Sequence, residues 1–252
     1  MNGTTTTVRA PSAWLRRFHP ADEAAVRLFC FPHAGGSASY YFPVSRALSP
    51  AADVVAVQYP GRQDRRTEPC VDDVRRLADL VVAELRPWCD RPVALFGHSL
   101  GATLGFEVAL RLEAAGITPK ALFASGRRAP SRHRENERVH LAPDERLLAT
   151  IQKMSGTDPA VLADEELLRS VLPAIRGDYK AAETYRYLPG PALACPIVVL
   201  NGDSDPEVTA EEAEGWTAHT DGPCSFRTFT GGHFYLNAHA AEVIALVRER
   251  IA

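Results

Sequence analysis

The sequence predicts an α/β fold in which a mostly parallel central sheet is flanked by helices and interrupted by an inserted helical segment. Short apolar runs alternate with helical apolar patterns over residues 26–125, which is typical of a parallel sheet covered on both faces. Between Ser125 and Ile197 the patterns are helical only, and strand patterns resume afterwards. The chain has 252 residues, enough for one large domain with a sizeable core.

The predicted elements divide the chain into three parts. Residues 1–24 are polar, rich in Thr and then in Arg, and are expected to form a flexible N-terminal segment. The core comprises residues 25–126 and 188–252, with strands at 26–31, 54–58, 93–96, 120–125, 197–201 and 225–229. Helices are expected at 37–48, 71–85, 102–115, 209–218 and 238–251.

The remaining part, residues 127–187, is an insertion with predicted helices at 143–154, 164–172 and 174–187. Inserted helices of this kind commonly form lids over active sites. A purely structural subdomain is the alternative. The Leu-rich character of these helices hints at an apolar tunnel, although any helix packed on a core has the same pattern.

Composition excludes several classes of protein. A net charge of −3 gives no support for nucleic-acid binding, and no segment is apolar enough for a signal peptide or a membrane span. The five cysteines show no close pairing and no metal-ligand spacing, and Cys30 and Cys195 lie in or beside apolar runs that predict buried thiols. We therefore expect a cytoplasmic protein without a metal or cofactor and without a nucleic-acid or membrane partner.

The most informative stretch is Gly97-His98-Ser99-Leu100-Gly101, which follows an apolar strand and precedes a helix. A G-x-S-x-G sequence in this context predicts a nucleophile elbow, in which the serine lies on a strained turn with its hydroxyl exposed. Ser99 is therefore the candidate nucleophile.

A serine nucleophile needs a base, and the base needs an acid to orient it. On this fold both follow the serine along the chain, in loops after strands. Of the eight histidines, His233 directly follows a late strand and is flanked by glycines, so it is the predicted base. Asp205 and Asp203 both lie in a suitable loop; Asp205 is preferred, and one of the two could be a turn-forming residue.

The oxyanion hole should use the backbone N–H of Leu100, the residue after the nucleophile. The second donor should come from the loop after the first strand, Pro32-His33-Ala34-Gly35-Gly36, where Ala34 is the best candidate. A simple strand-to-helix turn is the alternative interpretation of these glycines.

Together these stretches resemble the type II thioesterases of polyketide and nonribosomal peptide synthesis, which have the α/β-hydrolase fold. The resemblance extends from about Leu28 to Ile251 and includes the segments 31–36, 59–62, 96–101, 172–178, 202–206 and 231–234. It implies a catalytic triad of Ser99, Asp205 and His233, oxyanion amides at Ala34 and Leu100, and a lid formed by the inserted helices. Gly177 departs from the family, which more often has Ala there.

The resemblance implies hydrolysis of aberrant or stalled acyl groups from the phosphopantetheine arm of acyl or peptidyl carrier proteins, without a cofactor. Two alternatives use the same fold: another esterase or lipase, and a thioesterase that releases its product by cyclisation. A non-catalytic carrier-binding protein is a third, but all three triad positions carry competent residues.

Two arginine clusters have no role in this scheme. Arg62, Arg65 and Arg66 are expected to lie in a solvated loop. A longer stretch has Arg127, Arg128, Arg132, Arg134 and Arg138. Because carrier proteins of this kind are generally acidic, the longer stretch could attract them, and a solvated loop is the alternative.

Overall fold

The fold is built on a seven-stranded sheet, seen in a computed structural model that describes residues 12–154 and 165–252. The strands are β1 Leu15–Arg16, β2 Arg27–Phe31, β3 Asp53–Val57, β4 Val93–His98, β5 Leu122–Ser125, β6 Ile197–Gly202 and β7 Cys224–Phe229. Their order is β1-β3-β2-β4-β5-β6-β7, and every pair is parallel except β1 with β3. The central strands β2 to β5 are buried along their whole length, as expected for a sheet covered on both faces.

The helices are α1 Phe42–Leu48, α2 Val74–Leu85, α3 Leu100–Ala114, α4 Asp144–Met154, α5 Glu165–Thr184, α6 Ala210–Glu214, α7 Tyr235–Ala238 and α8 Ala240–Ile251. Helices α2 and α3 bury their apolar residues in one core cluster, while α1 and α8 contribute to a second. Each cluster also contains alternate residues of the strands, so the two lie on opposite faces of the sheet. The predicted α/β-hydrolase architecture is confirmed.

Several helix ends differ from the sequence-based bounds for local reasons. The first part of the helix predicted at 37–48 is a 3₁₀ turn, Ala38–Tyr41, and the α-helix α1 follows it. Helix α2 begins three residues later than expected because the Asp73 side chain accepts a hydrogen bond from Arg76 N–H at 2.8 Å and caps it.

Residues 12–24 pack against the domain, whereas the sequence predicted a flexible segment. Leu15 pairs with Val57 at the edge of the sheet, and the Ser12 hydroxyl donates to Glu84 at 2.6 Å. Arg17 donates to the buried Asp53 at 2.9 Å. A two-residue strand is too short to show a period in the sequence. Residues 1–11 of the predicted segment lie outside the described residues.

The inserted segment contains α4 and α5, and between Ser125 and Ile197 the described residues form no strand. The two predicted helices at 164–172 and 174–187 are one continuous helix with Pro173 inside it, although Asp164 itself is not described. Leu147, Ile151, Leu172 and Ile175 form a small core of their own between α4 and α5. At Gly177, the position that departs from the family, an added Cβ would lie 3.2 Å from the Cβ of Cys70, which is a tight contact.

Candidate active site

The nucleophile elbow has the predicted geometry. Ser99 stands between β4 and α3 with φ 55° and ψ −119°, a conformation that side-chain-bearing residues rarely adopt. The flanking glycines are required by close backbone contacts: a Cβ on Gly97 would lie 2.0 Å from the carbonyl oxygen of Gly101, and a Cβ on Gly101 would lie 2.0 Å from that of Phe31. The strand and the helix therefore pass one another with no room for a side chain.

The predicted base and acid are in contact. Nδ1 of His233 lies 2.9 Å from Oδ2 of Asp205, and both residues are buried. The other carboxylate oxygen of Asp205 accepts a hydrogen bond from Glu207 N–H at 2.8 Å, which fixes the carboxylate plane. Because Nδ1 donates to this carboxylate, Nε2 of the neutral ring is left as the proton acceptor.

Asp203, the alternative acid, has a different environment. Its exposed carboxylate accepts hydrogen bonds from Gly231 N–H at 2.9 Å and from the Ser204 hydroxyl at 2.8 Å. These hydrogen bonds lower the pKa of Asp203, and the bond from the Gly231 amide contributes most. Asp203 therefore ties together the two loops that carry Asp205 and His233, whereas the carboxylate in contact with His233 Nδ1 is that of Asp205.

Four of the five predicted residues line one cavity of about 110 Å³: Ser99, His233, Ala34 and Leu100. Asp205 is in contact with His233. Two backbone N–H groups at this cavity, those of Ala34 and Leu100, contact no hydrogen-bond acceptor within residues 12–154 and 165–252. Their neighbours in the loop are engaged, since Gly35 N–H donates to Asp178 at 2.7 Å and Gly36 N–H donates to the carbonyl of His33 at 2.9 Å.

The sequence profile of the thioesterase-domain family matches residues 26–251, which is nearly the whole chain. The chain belongs to the thioesterase family. The resemblance stated from the motifs is confirmed at that level, and the family name describes an enzyme that hydrolyses thioesters.

Relatives and solved structures agree with this assignment. The probable cadicidin biosynthesis thioesterase of Streptomyces griseus is 55% identical over 235 residues, which are 93% of this chain and 65% of that protein. Thioesterase PikA5 of Streptomyces venezuelae is 53% identical over 232 residues, 91% of this chain and 82% of that protein. The structure of the type II thioesterase BorB from the borrelidin biosynthetic cluster superposes with a TM-score of 0.92 at 53% identity, covering 97% of this chain and 100% of that one.

Two further histidines of this thioesterase lie beside His233, and the sequence argument set both aside because they precede Ser99. The ring centroids of His98 and His233 are 4.9 Å apart, and those of His33 and His98 are 6.0 Å apart. Burial lowers the pKa of His33 to about 3 and holds the pKa of His98 well below its ordinary value. Both rings are therefore neutral near pH 7, and neither repels a positive charge on His233.

The cavity wall is partly polar among the described residues, and an apolar tunnel stays a prediction. Arg127, Glu137, Glu183 and Glu207 all line it. Arg127 donates to the Thr103 hydroxyl at 3.0 Å and to the carbonyl of Ala182 at 3.2 Å. Burial lowers the pKa of Arg127 to about 10, which leaves it charged at neutral pH.

The long arginine stretch is neither a free docking surface nor a solvated loop at three of its positions. Arg127 lines the cavity, and the buried Arg128 forms a bidentate pair with Glu137. Arg134 donates to both carboxylate oxygens of Glu212 at 2.6 Å. Burial opposes ionisation of Glu212, but the hydrogen bonds from Arg134 and Thr209 N–H and the charges of Arg134 and Arg128 together outweigh it and lower the pKa of Glu212 to about 2.

The first arginine cluster was also misassigned. Arg62 and Arg65 are buried, at 6% and 5% exposure, and both are paired with carboxylates. Only Arg66, of these three, is exposed. The partner of Arg65 is Glu68, three residues later, whereas the partner of Arg62 is Asp178, 116 residues later, which a charge run in the sequence does not reveal.

The part of the chain that the structure describes contains no group of three or more His, Cys, Asp or Glu side chains arranged to hold a metal ion. No helix within it has the length and apolar character needed to cross a membrane. All five cysteines are free thiols, and Cys30 and Cys195 are buried, as predicted.

Proposed function

We propose that this thioesterase is a serine hydrolase that removes aberrant or stalled acyl groups from the phosphopantetheine arm of acyl or peptidyl carrier proteins. The observation that carries the proposal is the meeting of three features at one cavity: a strained Ser99, the hydrogen-bonded pair of His233 and Asp205, and two backbone N–H groups that contact no acceptor within the described residues. Relatives support the substrate class: YbtT, at 28% identity, is a type II thioesterase from the yersiniabactin NRPS/PKS biosynthetic pathway, and BorB is one from the borrelidin biosynthetic cluster.

The chemistry follows from these positions. Ser99 Oγ attacks the thioester carbonyl while Nε2 of His233 takes its proton. The negative charge that develops on the carbonyl oxygen is stabilised by the N–H groups of Ala34 and Leu100. Asp205 keeps the imidazole oriented and stabilises its protonated form. The carbon–sulfur bond then breaks, and the thiol leaves with the proton that His233 returns.

The resulting acyl-enzyme is hydrolysed by the same groups in a second step. His233 removes a proton from water as the water oxygen attacks the acyl carbon, and it returns a proton to Ser99 Oγ as the ester bond breaks. The products are a free carboxylic acid and the regenerated serine. A thiol leaves more easily than an amine because its pKa is lower, so the site needs little acid assistance.

The test uses a carrier protein loaded with a short acyl group and followed by intact mass spectrometry. We expect the native protein to remove the acyl mass and Ser99→Ala to leave it in place. An acyl mass that persists with both proteins would contradict the proposal. Rapid turnover of free esters in the same preparation would then favour a general esterase, and release of a cyclic product would favour a cyclising thioesterase.

A further inference from the structure

We propose that Asp178, held by Arg62, is a positioning residue for the oxyanion hole: its carboxylate fixes the peptide that follows Ala34 and so aims the Ala34 N–H. The inference rests on the roles proposed above for Ser99 and Ala34. Asp178 lies on α5, in the inserted segment, 143 residues after the loop that it contacts.

The contact clamps the loop from two sides. Oδ2 of Asp178 accepts hydrogen bonds from Gly35 N–H at 2.7 Å and from Nη1 of Arg62 at 2.6 Å, while Oδ1 accepts from Nη2 of Arg62 at 2.9 Å. Nη1 of Arg62 also donates to the carbonyl oxygen of Gly36 at 3.1 Å. The ion pair therefore holds one backbone donor and one backbone acceptor of the loop with charge-assisted bonds.

The loop needs such a clamp because its own sequence leaves it free to move. Gly35 has φ +74°, and two successive glycines allow many backbone conformations of similar energy. A Cβ on Gly35 would lie 2.8 Å from Cγ1 of Ile175, which is one helical turn before Asp178 on α5. Helix α5 thus contacts the loop through Ile175 and Asp178, and neither of these contacts involves the N–H of Ala34.

The pair is buried, which makes it costly to disturb. Asp178 is 2% exposed and Arg62 is 6% exposed. Removing one partner would leave a buried charge without compensation. Arg62 is itself fixed by its neighbours, since its Nε donates to the carbonyl of Pro60 at 3.2 Å. The motif segments 59–62 and 172–178, which the triad chemistry does not use, therefore meet at the oxyanion loop.

A second buried pair provides a matched control at the opposite end of the sheet. Asp53 is fully buried and accepts hydrogen bonds from Arg27 at 2.7 Å and from Arg17 at 2.9 Å. Arg27 and Asp53 begin β2 and β3, whereas the candidate site lies where the strands end. Asp53→Asn should therefore destabilise the fold without affecting the oxyanion loop.

The experiment compares the wild type, Asp178→Asn and Asp53→Asn by their rate of reaction with a fluorophosphonate probe. In this reaction Ser99 Oγ bonds to phosphorus, fluoride leaves, and the proton passes to His233, while the phosphonyl oxygen takes the place of the oxyanion. The reaction needs no carrier protein, so failure of the carrier assay above would not affect it. The kcat and KM for a p-nitrophenyl ester are measured on the same proteins.

An asparagine at 178 cannot accept hydrogen bonds from Gly35 N–H and from both guanidinium nitrogens as the carboxylate does, because its side-chain nitrogen is itself a donor. Losing a whole oxyanion donor costs about 10²–10³-fold in other serine enzymes, so a misdirected donor should cost about 10–100-fold. We expect Asp178→Asn to slow phosphonylation and lower kcat by that factor, with KM changed less than about threefold. Asp53→Asn should react within about twofold of the wild type.

Two results with the asparagine variants would overturn the proposal. One is a folded Asp178→Asn protein that reacts with the probe at the wild-type rate. The other is an equal loss of rate in both asparagine variants, which would assign the effect to general destabilisation. If Asp178→Asn does not fold, the experiment uses Arg62→Lys, which keeps the positive charge but not the bidentate contact with Asp178. This variant should still slow phosphonylation by about 3–30-fold. A wild-type rate in Arg62→Lys would also refute the proposal.

Discussion

The two aspartates of the loop after β6 allow a direct test of the proposed acid. In Asp205→Asn, the side-chain oxygen would accept from Glu207 N–H, where a carboxylate oxygen now accepts at 2.8 Å. The amide nitrogen would then face Nδ1 of His233, which is 2.9 Å from Oδ2 in the native protein. Because an amide nitrogen only donates, Nδ1 must become the acceptor, and the ring proton moves to Nε2. The base would then hold a proton at the atom that should receive one from Ser99.

The expected loss follows from this change of tautomer. Replacing the triad acid of a serine protease by asparagine lowers kcat by about 10⁴-fold with the geometry intact, which corresponds to about 5 kcal/mol of transition-state stabilisation. We expect a loss of about 10³–10⁴-fold here. Asp203→Asn is the matched control, because Asp203 is exposed and contacts Gly231 N–H rather than His233. Its activity should stay within about threefold of the wild type.

The assay is hydrolysis of a p-nitrophenyl ester at saturating substrate, with thermal unfolding measured on each variant to show that it is folded. A second readout is the rate of fluorophosphonate labelling, which should fall in parallel with kcat for Asp205→Asn. The reasoning would be refuted if Asp205→Asn kept more than about a tenth of the native kcat, or if Asp203→Asn lost as much activity as Asp205→Asn.

Two further predictions concern stability. Burial lowers the pKa of His33 to about 3 and that of His219 to about 4, so below pH 6.5 the unfolded chain binds protons that the folded chain does not. The free energy of unfolding should therefore decrease as the pH falls from about 6.5 toward 4, by about 2 kcal/mol per histidine between pH 7 and pH 5. Urea unfolding of His219→Gln at these two pH values should show a loss that is smaller by about that amount, and an unchanged loss would contradict the argument. Gly97→Ala should prevent folding of the elbow, since its Cβ would lie 2.0 Å from a backbone oxygen. Gly116→Ala is the control: its Cβ would have no atom within 4 Å, and it should lower the free energy of unfolding by about 1 kcal/mol and keep native activity. A soluble and active Gly97→Ala protein would show that the backbone can separate at the elbow.

The core strands could be predicted from sequence because their signal is local. Each of β2, β3, β4 and β6 contains a run of four apolar residues, and the structure places all four strands within two residues of the predicted bounds. The same holds for the elbow, where Gly97 and Gly101 mark a close approach of strand and helix that no other residue permits. Local patterns of this kind depend on nothing outside a window of about ten residues.

The environment of the arginines could not be predicted, because it depends on partners far away in the sequence. Arg62 is paired with Asp178, 116 residues later, and Arg134 with Glu212, 78 residues later. A cluster of arginines at the surface and one that is buried and paired have the same local composition. Only the folded chain shows that Arg127 lies in the wall of the cavity beside Ser99.

The inserted helix α5 shows a second way in which prediction from the sequence was wrong. A proline inside a helical pattern predicts a break, and Pro173 led to two helices where the structure has one. Tertiary contacts outweigh the local cost, since Leu172 and Ile175, on either side of the proline, are buried against α4. At the far end of α5, the hydroxyl of Tyr185 donates to the buried Glu107 at 2.7 Å.

Carboxylate side chains hold the irregular backbone around the candidate site by accepting hydrogen bonds from its N–H groups. Asp178 accepts from Gly35 N–H, Asp203 accepts from Gly231 N–H, and Glu183 accepts from the N–H groups of Val139 and His140 at 2.8 and 3.1 Å. Among the described residues these amides have no strand partner, so they would otherwise need water or remain unpaired. An ionised carboxylate binds an amide more strongly than a neutral acceptor does. Two of the three carboxylates come from α5, so the inserted segment holds the loop beside Ser99 as well as lining its cavity.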